Sequence, residues 1–230
     1  MISACIVGKT NEPYIRNCFA SVRDIVDEVV YLDTGSTDKT VEIAQEYADK
    51  ILHIEQHGRN WGEWRTLLIQ NASQEWILTI DTDEIATNEL REQLRSYLKA
   101  LPEEAGSVRF KRADLIYDLN HYLTSPKSDP YLSHPSLYKR GGSKWVNKVH
   151  ETYVGTGKRV DWDIIGVVHY NLLMAERLRA KTHPRYWDKT KYSDEFILKQ
   201  WKELWPGVVV KELPPSVTWK EVAKYGTAFN

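Results

Sequence analysis

Short apolar runs alternate with segments of helical spacing along residues 1–100. The apolar runs are rich in β-branched residues and too short for helices that bury themselves, which is typical of buried strands. They cover residues 2–7, 28–32, 50–54 and 76–80. Between them, apolar side chains recur at intervals of three and four, namely Tyr14, Cys18, Val22 and Ile25, then Val41, Ala44 and Ala48, then Trp64, Leu67, Leu68 and Ala72. Such alternation with short connections predicts right-handed βαβ units and a mostly parallel sheet.

The pattern changes in the second half of the chain. A helix predicted at 88–99 leads through a Pro- and Gly-containing segment into a strand at 107–112. Further strands are predicted at 145–149 and 164–168. Residues 118–135 contain three prolines and predict a long loop. Loops of that length inside a compact domain are usually functional.

Helical spacing returns beyond residue 172. Amphipathic helices are predicted at 171–181 and 193–204, and 208–210 predicts a short strand or an extended tail. The region is dense in aromatic residues, namely Tyr186, Trp187, Tyr192, Trp201, Trp205 and Trp219. Two explanations stay open: an apolar cover packed on the sheet or on a second subunit, or an interfacial surface that contacts a membrane peripherally and reaches a lipid-linked acceptor.

Three carboxylates stand where the fourth predicted strand ends. Asp81, Asp83 and Glu84 follow the apolar run 76–80, with Thr82 between the first two. Carboxylates grouped at a strand end repel one another and lose hydration, so a cation is needed to offset the cost. Mg²⁺ and Mn²⁺ prefer such oxygen ligands, and open α/β sheets bind ligands at this edge. The alternative is a solvated helix N-terminus, where acidic residues are favoured.

A second carboxylate, Asp33, ends the second predicted strand and opens a turn. Gly35 allows the positive φ that such a turn requires, and Ser36 or Thr37 would cap the next helix. A helix N-terminus of this kind suits the polar groups of a nucleotide. A well-capped structural turn is the alternative, but it leaves Asp33 unexplained.

Composition narrows the class of protein. The 230 residues are 42% hydrophobic and carry a net charge of −1, which argues against general nucleic-acid binding. Two cysteines, Cys5 and Cys18, lie on predicted apolar faces and fit a reducing compartment. No apolar run is long enough to span a bilayer, and the N-terminus lacks a signal-peptide pattern. We therefore expect a cytoplasmic protein, with contact at the inner face of the membrane left open.

The chain resembles the family 2 glycosyltransferases, which have a GT-A nucleotide-sugar-binding fold. It is most similar to the small bacterial branch that builds lipopolysaccharide core and other surface glycans. The segments that carry the resemblance are 9–12, 29–44, 64–66, 76–84 and 144–151. One departure is Thr66, where the family usually has Asn. The resemblance implies a GT-A domain at 1–172, with a nucleotide-binding half at 1–100 and an acceptor-side half at 101–172, followed by a helical extension at 173–230.

The resemblance also implies roles in donor binding. Thr10 and Glu12 would line the base and ribose, Asp33 would bond the base edge, and Arg65 would approach the base or diphosphate. Asp81 would contact the ribose, and Asp83 would bind the Mn²⁺ or Mg²⁺ that bridges the diphosphate. Thr82, which lies between them, is also expected to belong to the donor-binding residues. A planar guanidinium also suits phosphate oxygens on its own account. A surface helix arginine is the alternative for Arg65.

On the acceptor side the resemblance implies inversion with a carboxylate base. Glu151 is the candidate, with Asp129 and Glu84 as runners-up; the alternative for Glu151 is an exposed carboxylate paired with Lys148. His169 ends the apolar run 164–168 and would be a further metal ligand, or a structural histidine.

The function expected from these residues is transfer of a hexose from a nucleoside-diphosphate sugar, UDP favoured, to a hydroxyl of a glycan or glycolipid. A sugar nucleotidyltransferase is one alternative, although it should open with a Gly-rich phosphate loop that residues 8–11 match poorly. A non-catalytic carbohydrate- or partner-binding module, suggested by the nine tryptophans, is the other.

Overall fold

The computed structural model describes residues 1–55, 60–116, 121–124, 136–148, 151–172, 209–212 and 214. Its N-terminal half is a parallel sheet in the order β4-β1-β2-β3. The strands are β1 Ile2–Gly8, β2 Glu28–Asp33, β3 Lys50–His53 and β4 Trp76–Thr79. All four predicted strands are confirmed, each within one residue at either end.

The helices cover both faces of this sheet. They are α1 Glu12–Val22, α2 Thr40–Ala44, α3 Trp61–Asn71 and α4 Asn88–Ala100. Every residue of β1 is buried, and alternate side chains enter two separate cores. Ile6 packs in the core that contains α1, α2 and α4, and Cys5 packs in the core that contains α3. The predicted burial of both cysteines is confirmed.

The second half extends the sheet with mixed pairing. A short strand, β8, lies antiparallel between β4 and the long strand β6, and β11 runs parallel along the other edge of β6. β5 pairs antiparallel with β11, and β7 pairs antiparallel with β6. β12 pairs antiparallel with β7. These strands are β5 Glu84–Ala86, β6 Ala105–Ile116, β7 His121–Thr124, β8 Leu137–Lys139, β11 Lys158–Leu172 and β12 Val209–Glu212.

A separate two-stranded sheet, β9 Lys144–Val146 with β10 Thr152–Val154, packs on α3. The hydroxyl of Thr66 on α3 accepts a hydrogen bond from Trp145 N (2.9 Å) and donates one to Trp145 O (3.0 Å). The predicted strand at 145–149 is confirmed over its first two residues, and 149 lies outside the described residues. The Thr66 side chain therefore satisfies both backbone polar groups of Trp145 on β9.

Two predictions about the second half are wrong. Residues 121–124 of the predicted loop form β7, because β6 and β12 supply pairing partners that are distant in sequence. His169 does not end its strand, since β11 continues to Leu172, which also removes the start of the helix predicted at 171–181. The remainder of that helix, the helix at 193–204 and the C-terminal aromatic residues lie outside the described residues, so the helical extension stays a prediction.

Of the two alternatives for 208–210, a short strand or an extended tail, the structure has the strand: 209 and 210 begin β12, and 208 lies outside the described residues. β12 adds to the main sheet through β7, so these residues are part of the sheet rather than of a separate appendage. Within the described ranges, no helix has both the length and the apolarity that crossing a membrane requires.

Candidate functional site

The loops that follow β1 and β2 are bonded to each other. Backbone N–H groups of one loop donate to side chains of the other in both directions. The bonds run from Thr10 N to Ser36 Oγ (2.9 Å), Asn11 N to Thr40 Oγ1 (2.7 Å), Glu12 N to Asp38 Oδ2 (3.1 Å) and Lys39 N to Glu12 Oε2 (3.3 Å). Thr10 has a φ of 51°, a left-handed conformation that is strained for a β-branched residue. Thr10 and Glu12, both predicted to contact the nucleotide, therefore belong to a rigid pair of loops.

Asp33 closes the turn after β2. Its carboxylate accepts from Gly35 N (3.1 Å) and from Ser36 Oγ (2.5 Å), and Gly35 has the expected positive φ, 96°. The prediction that Ser36 or Thr37 caps the next helix is wrong, because α2 begins later and Asp38 Oδ1 accepts from Thr40 N at its start. Asp33 is buried. It pairs with Gly8, so the turn lies directly beside the end of β1.

The acidic residues after β4 form a tight turn that leads into β5. Asp81 N donates to Glu84 Oε2 and Glu84 N donates to Asp81 O, both at 3.0 Å. A strand thus follows the cluster, and α4 starts only after Thr87, whose hydroxyl accepts from Leu90 N. The alternative interpretation of the cluster as a solvated helix N-terminus is therefore wrong.

Each carboxylate of this cluster faces a cation from another element. Asp81 Oδ1 accepts from Arg65 Nη2 at 2.9 Å, Glu84 Oε1 lies 3.4 Å from Arg112 Nη1, and Asp83 Oδ1 lies 3.5 Å from His169 Nε2. These side chains supply much of the compensation that the grouped carboxylates need. The acidic cluster taken alone therefore does not require a metal ion.

Burial and these partners shift the ionisation of the cluster. Burial opposes the charged form of Asp81, but Arg65 outweighs it and holds the pKa of Asp81 below its usual range. Burial, together with the charge of Asp81, raises the pKa of Glu84. For His169, burial alone would lower the pKa, but Asp114 and Asp83 raise it to about 9. Without a bound metal ion, the imidazole is therefore positively charged at neutral pH.

His169 is oriented by a carboxylate at one ring nitrogen, which leaves the other ring nitrogen facing Asp83. Its Nδ1 lies 2.5 Å from Asp114 Oδ1, and its Nε2 faces Asp83. Carboxylates commonly orient metal-binding histidines in this way. In the described part of the chain, no group of three or more His, Cys, Asp or Glu side chains is placed to hold a metal. Asp83 and His169 alone would therefore supply two ligands to a metal ion, and a bound diphosphate would have to supply others.

Arg65 lies at the centre of the site. It is only 4% exposed, so the alternative of a surface arginine is wrong. Its Nε donates to Glu151 Oε1 and its Nη2 donates to Asp81 Oδ1, both at 2.9 Å. Glu151 precedes β10 and is 14% exposed, and its ion pair is with Arg65 rather than with Lys148. The structure thus links the candidate base Glu151 to Asp81 through the guanidinium of Arg65.

A close contact joins the loop pair to the acidic cluster. A Cβ added at Gly8 would lie 2.6 Å from Thr82 Cγ2, so the Thr82 side chain would have to shift if residue 8 carried a side chain. The predicted residues therefore fall into two adjoining groups, one with Thr10, Glu12 and Asp33, and one with Arg65, Asp81, Thr82, Asp83, Glu151 and His169. Asp129 lies outside the described residues.

Two residues of the site, Arg112 and Asp114, were not predicted. Arg112 bridges Glu84 and Asp114, and Asp114 in turn contacts His169. Their spacing of two along a strand, which puts both side chains on one face, was the available signal. It was hidden because the predicted strand stopped at 112, whereas β6 extends to Ile116.

A model of the protein family described as Glycosyl transferase family 2 matches residues 3–158, which is more than half of the chain. Among curated proteins, the chain is 29% identical over 183 residues to the lipopolysaccharide core biosynthesis glycosyltransferase LpsC of Rhizobium meliloti (strain 1021), with 77% of this chain and 66% of LpsC covered. It is 35% identical over 126 residues to a TPR repeat-containing protein of Synechococcus elongatus, with 50% and 31% covered.

The fold is similar to that of TarS 1–349 from S. aureus, solved in complex with UDP. The TM-score is 0.56 at 14% identity, and 79% of this chain and 63% of that one are covered. The mixed, mostly parallel sheet with flanking helices is the GT-A fold expected from the sequence. The chain spans about a third of the Synechococcus protein and just under two thirds of LpsC and of the TarS fragment.

Proposed function

The chain belongs to glycosyl transferase family 2, and we propose that it transfers a hexose from a UDP-sugar to an acceptor hydroxyl, with inversion at the anomeric carbon. One observation carries the proposal: a single buried arginine joins Asp81, at the carboxyl end of β4, to Glu151. The proposed role of Glu151 as the base is supported by this link to the edge where open α/β sheets bind ligands.

The loop pair provides the donor nucleotide site in this proposal. Thr10 and Glu12 line the base and ribose, and Asp33 bonds the base edge from its closed turn. Asp81 contacts the ribose beside Thr82. The UDP bound to TarS, a protein of similar fold, supports the choice of nucleotide.

Asp83 and His169 would hold a divalent ion together with the donor diphosphate. Bound there, Mn²⁺ or Mg²⁺ would stabilise the negative charge that develops on the departing UDP. His169 must give up the Nε2 proton to act as a ligand, while Asp114 keeps its hydrogen bond at Nδ1 and fixes the ring. Metal affinity should therefore rise with pH.

Glu151 takes the proton of the acceptor hydroxyl, on the carboxylate oxygen that Arg65 does not hold. The acceptor oxygen forms a bond to the anomeric carbon, and the bond from that carbon to the diphosphate breaks with its electron pair leaving on UDP. A glycan or glycolipid acceptor is proposed from the similarity to LpsC, which is described as a lipopolysaccharide core biosynthesis enzyme.

A donor screen tests the proposed function. Purified chain is incubated with UDP-, GDP-, CMP- and dTDP-sugars and Mn²⁺, and released nucleotide and pyrophosphate are measured. We expect release of free UDP that EDTA abolishes, and a loss of about a hundredfold or more in Asp83→Ala because the charge of the diphosphate is no longer stabilised. Asp24→Ala, which alters an exposed carboxylate paired with Arg91, is the matched control and should keep full activity.

Other outcomes would support the competing functions. Release of pyrophosphate would indicate a nucleotidyltransferase. Sugar binding that ignores metal and survives Asp83→Ala would indicate a non-catalytic module.

A further inference from the structure

We propose that Arg65 is a positioning residue that fixes the candidate base Glu151 relative to Asp81. The inference rests on the proposed function and deepens it. The family resemblance implied that Arg65 approaches the donor, whereas in the structure two of its nitrogens are already bonded to carboxylates. Its role then is to set the geometry between the donor side and the base side of the site.

The bonding pattern of Arg65 fixes directions as well as distances. Nε and Nη2 are neighbouring donors on one planar group, and each gives a 2.9 Å hydrogen bond to a different carboxylate. A rigid plane with two occupied directions determines where both acceptor oxygens lie. Glu151 is 86 residues from Arg65 in the chain and Asp81 is 16 residues away, so the guanidinium ties together three separate segments.

The guanidinium plane is itself held in place. The Cζ of Arg65 lies 5.3 Å from the ring centroid of Trp145, in cation–π range. Trp145 is anchored through its backbone to Thr66 and through Nε1 to Tyr138 OH, at 3.0 Å. The Tyr138 hydroxyl lies 2.8 Å from Thr79 Oγ1 at the end of β4. Trp145, which packs against the guanidinium of Arg65, is thus connected through Tyr138 to β4, the strand that leads to the acidic cluster.

A purely structural role leaves one atom of Arg65 unexplained. Its Nη1 is buried and has no hydrogen-bond partner in the described part of the chain. An unpaired buried donor is costly, and each one in a folded protein calls for an explanation such as a bound ligand or an ordered water. A group bonded to Nη1 would leave Nε and Nη2 on Glu151 and Asp81, so the positioning role does not depend on what that group is.

Arg65→Lys is the informative change because it keeps the charge and removes the plane. A lysine ammonium is a point charge on a flexible stem and does not hold two carboxylates in fixed directions. Displacement of a reacting group by about 1 Å costs about a hundredfold in rate, so kcat should fall by roughly that factor. Donor binding should change far less, with the Kd for UDP rising less than about fivefold.

The experiment is a double-mutant cycle on the full chain, with kcat for sugar transfer and the Kd for UDP by calorimetry. Its members are wild type, R65K, Glu151→Asp and the double variant. If Arg65 acts through Glu151, the double variant should be no slower than the slower single variant, within about threefold. R109K is the matched control, because Arg109 is also buried and also binds a carboxylate, Asp161, through Nε and Nη2. R109K should keep its kcat.

Each outcome decides the matter. A wild type that transfers no sugar from any donor overturns the proposed function, and this inference with it. An active wild type overturns the inference alone if the R65K and Glu151→Asp losses multiply, or if the Kd for UDP rises as much as kcat falls. If R65K melts far below R109K, all members of the cycle and R109K are assayed at a temperature at which R65K is folded.

Discussion

At the scale of single residues, the site is organised by arginines that each hold two carboxylates. Arg65 bridges Asp81 and Glu151, and Arg112 bridges Glu84 and Asp114. Removing one partner of such a group leaves the others buried without compensation, which is strongly destabilising. His169 completes the set as a cation between Asp83 and Asp114.

His169 should make the metal-free protein less stable at alkaline pH. Its folded-state pKa is about 9, above the ordinary value of 6.5, so protonation favours the folded state. The contribution is fully present below pH 6.5 and is lost as the pH rises through 9, by roughly 3 kcal/mol in total. Urea unfolding in EDTA across this range should show the loss in wild type and its absence in His169→Gln.

The exposed histidine His53 provides the control for this measurement. Its side chain is 59% exposed and its ring lies 3.6 Å from Asp33. His53→Gln should keep the alkaline loss of stability. A His169→Gln profile as steep as that of wild type would contradict the assignment.

At the scale of elements, the acceptor side depends on the close approach of α3 to β9. Trp61 N and Gly62 N, in the first turn of α3, donate to the carbonyls of Lys148 and Asn147. A Cβ added at Gly62 would lie 2.5 Å from Asn147 O and 2.9 Å from Val146 C, and backbone atoms cannot rotate away. This contact fixes the position of residues 146–148 against the first turn of α3.

Gly62→Ala should therefore destabilise the protein by about 1–3 kcal/mol, the usual cost of overpacking. Guanidinium unfolding measures the loss. Gly141→Ala is the control, since no atom lies within 4 Å of an added Cβ at that position, and its stability should change by less than about 0.5 kcal/mol. Equal stability of the two variants would mean that α3 moves freely relative to β9.

The parallel half of the fold could be predicted from sequence because its signals are local. Periodicity located β1 to β4 and the helices, and the acidic turn after β4 pointed to the edge that carries the site. The strands β5, β7 and β8 were missed because each is three or four residues long and depends on partners far away in sequence. For the same reason, no local pattern predicts the bond between Arg65 and Glu151. The burial of Trp64 on the same helix is predicted by the helical spacing of the apolar residues.

At the scale of the whole molecule, the carboxylate of Asp27 connects the first strand to the last of the four described helices. Asp27 accepts from Ile2 N at the start of β1 (2.7 Å) and from Arg95 Nη2 on α4 (3.0 Å). Although burial acts in the opposite direction, Arg95 and Ile2 N lower the pKa of Asp27. The charged form therefore stabilises the folded state.

Asp27→Asn should lower stability at neutral pH by roughly 1–2 kcal/mol, because a charge-assisted hydrogen bond is lost. Since the folded-state pKa is depressed, the contribution of Asp27 is present above about pH 4 and disappears as the pH falls through the folded value. The difference between wild type and variant in urea unfolding should thus shrink on acidification. A difference that stays constant from pH 7 to the acid limit would contradict this account.

The reciprocal bonds between the loops after β1 and β2 have a consequence for recognition. Hydrogen bonds between the two loops are formed without a ligand. Neighbouring residues of the protein hold Thr10 in its left-handed conformation. A nucleotide entering there would meet a preorganised cradle and lose less affinity to freezing the chain. Selectivity for one nucleobase over another would then arise from the fixed shape of the two loops, because they would not rearrange to bind a base of different shape.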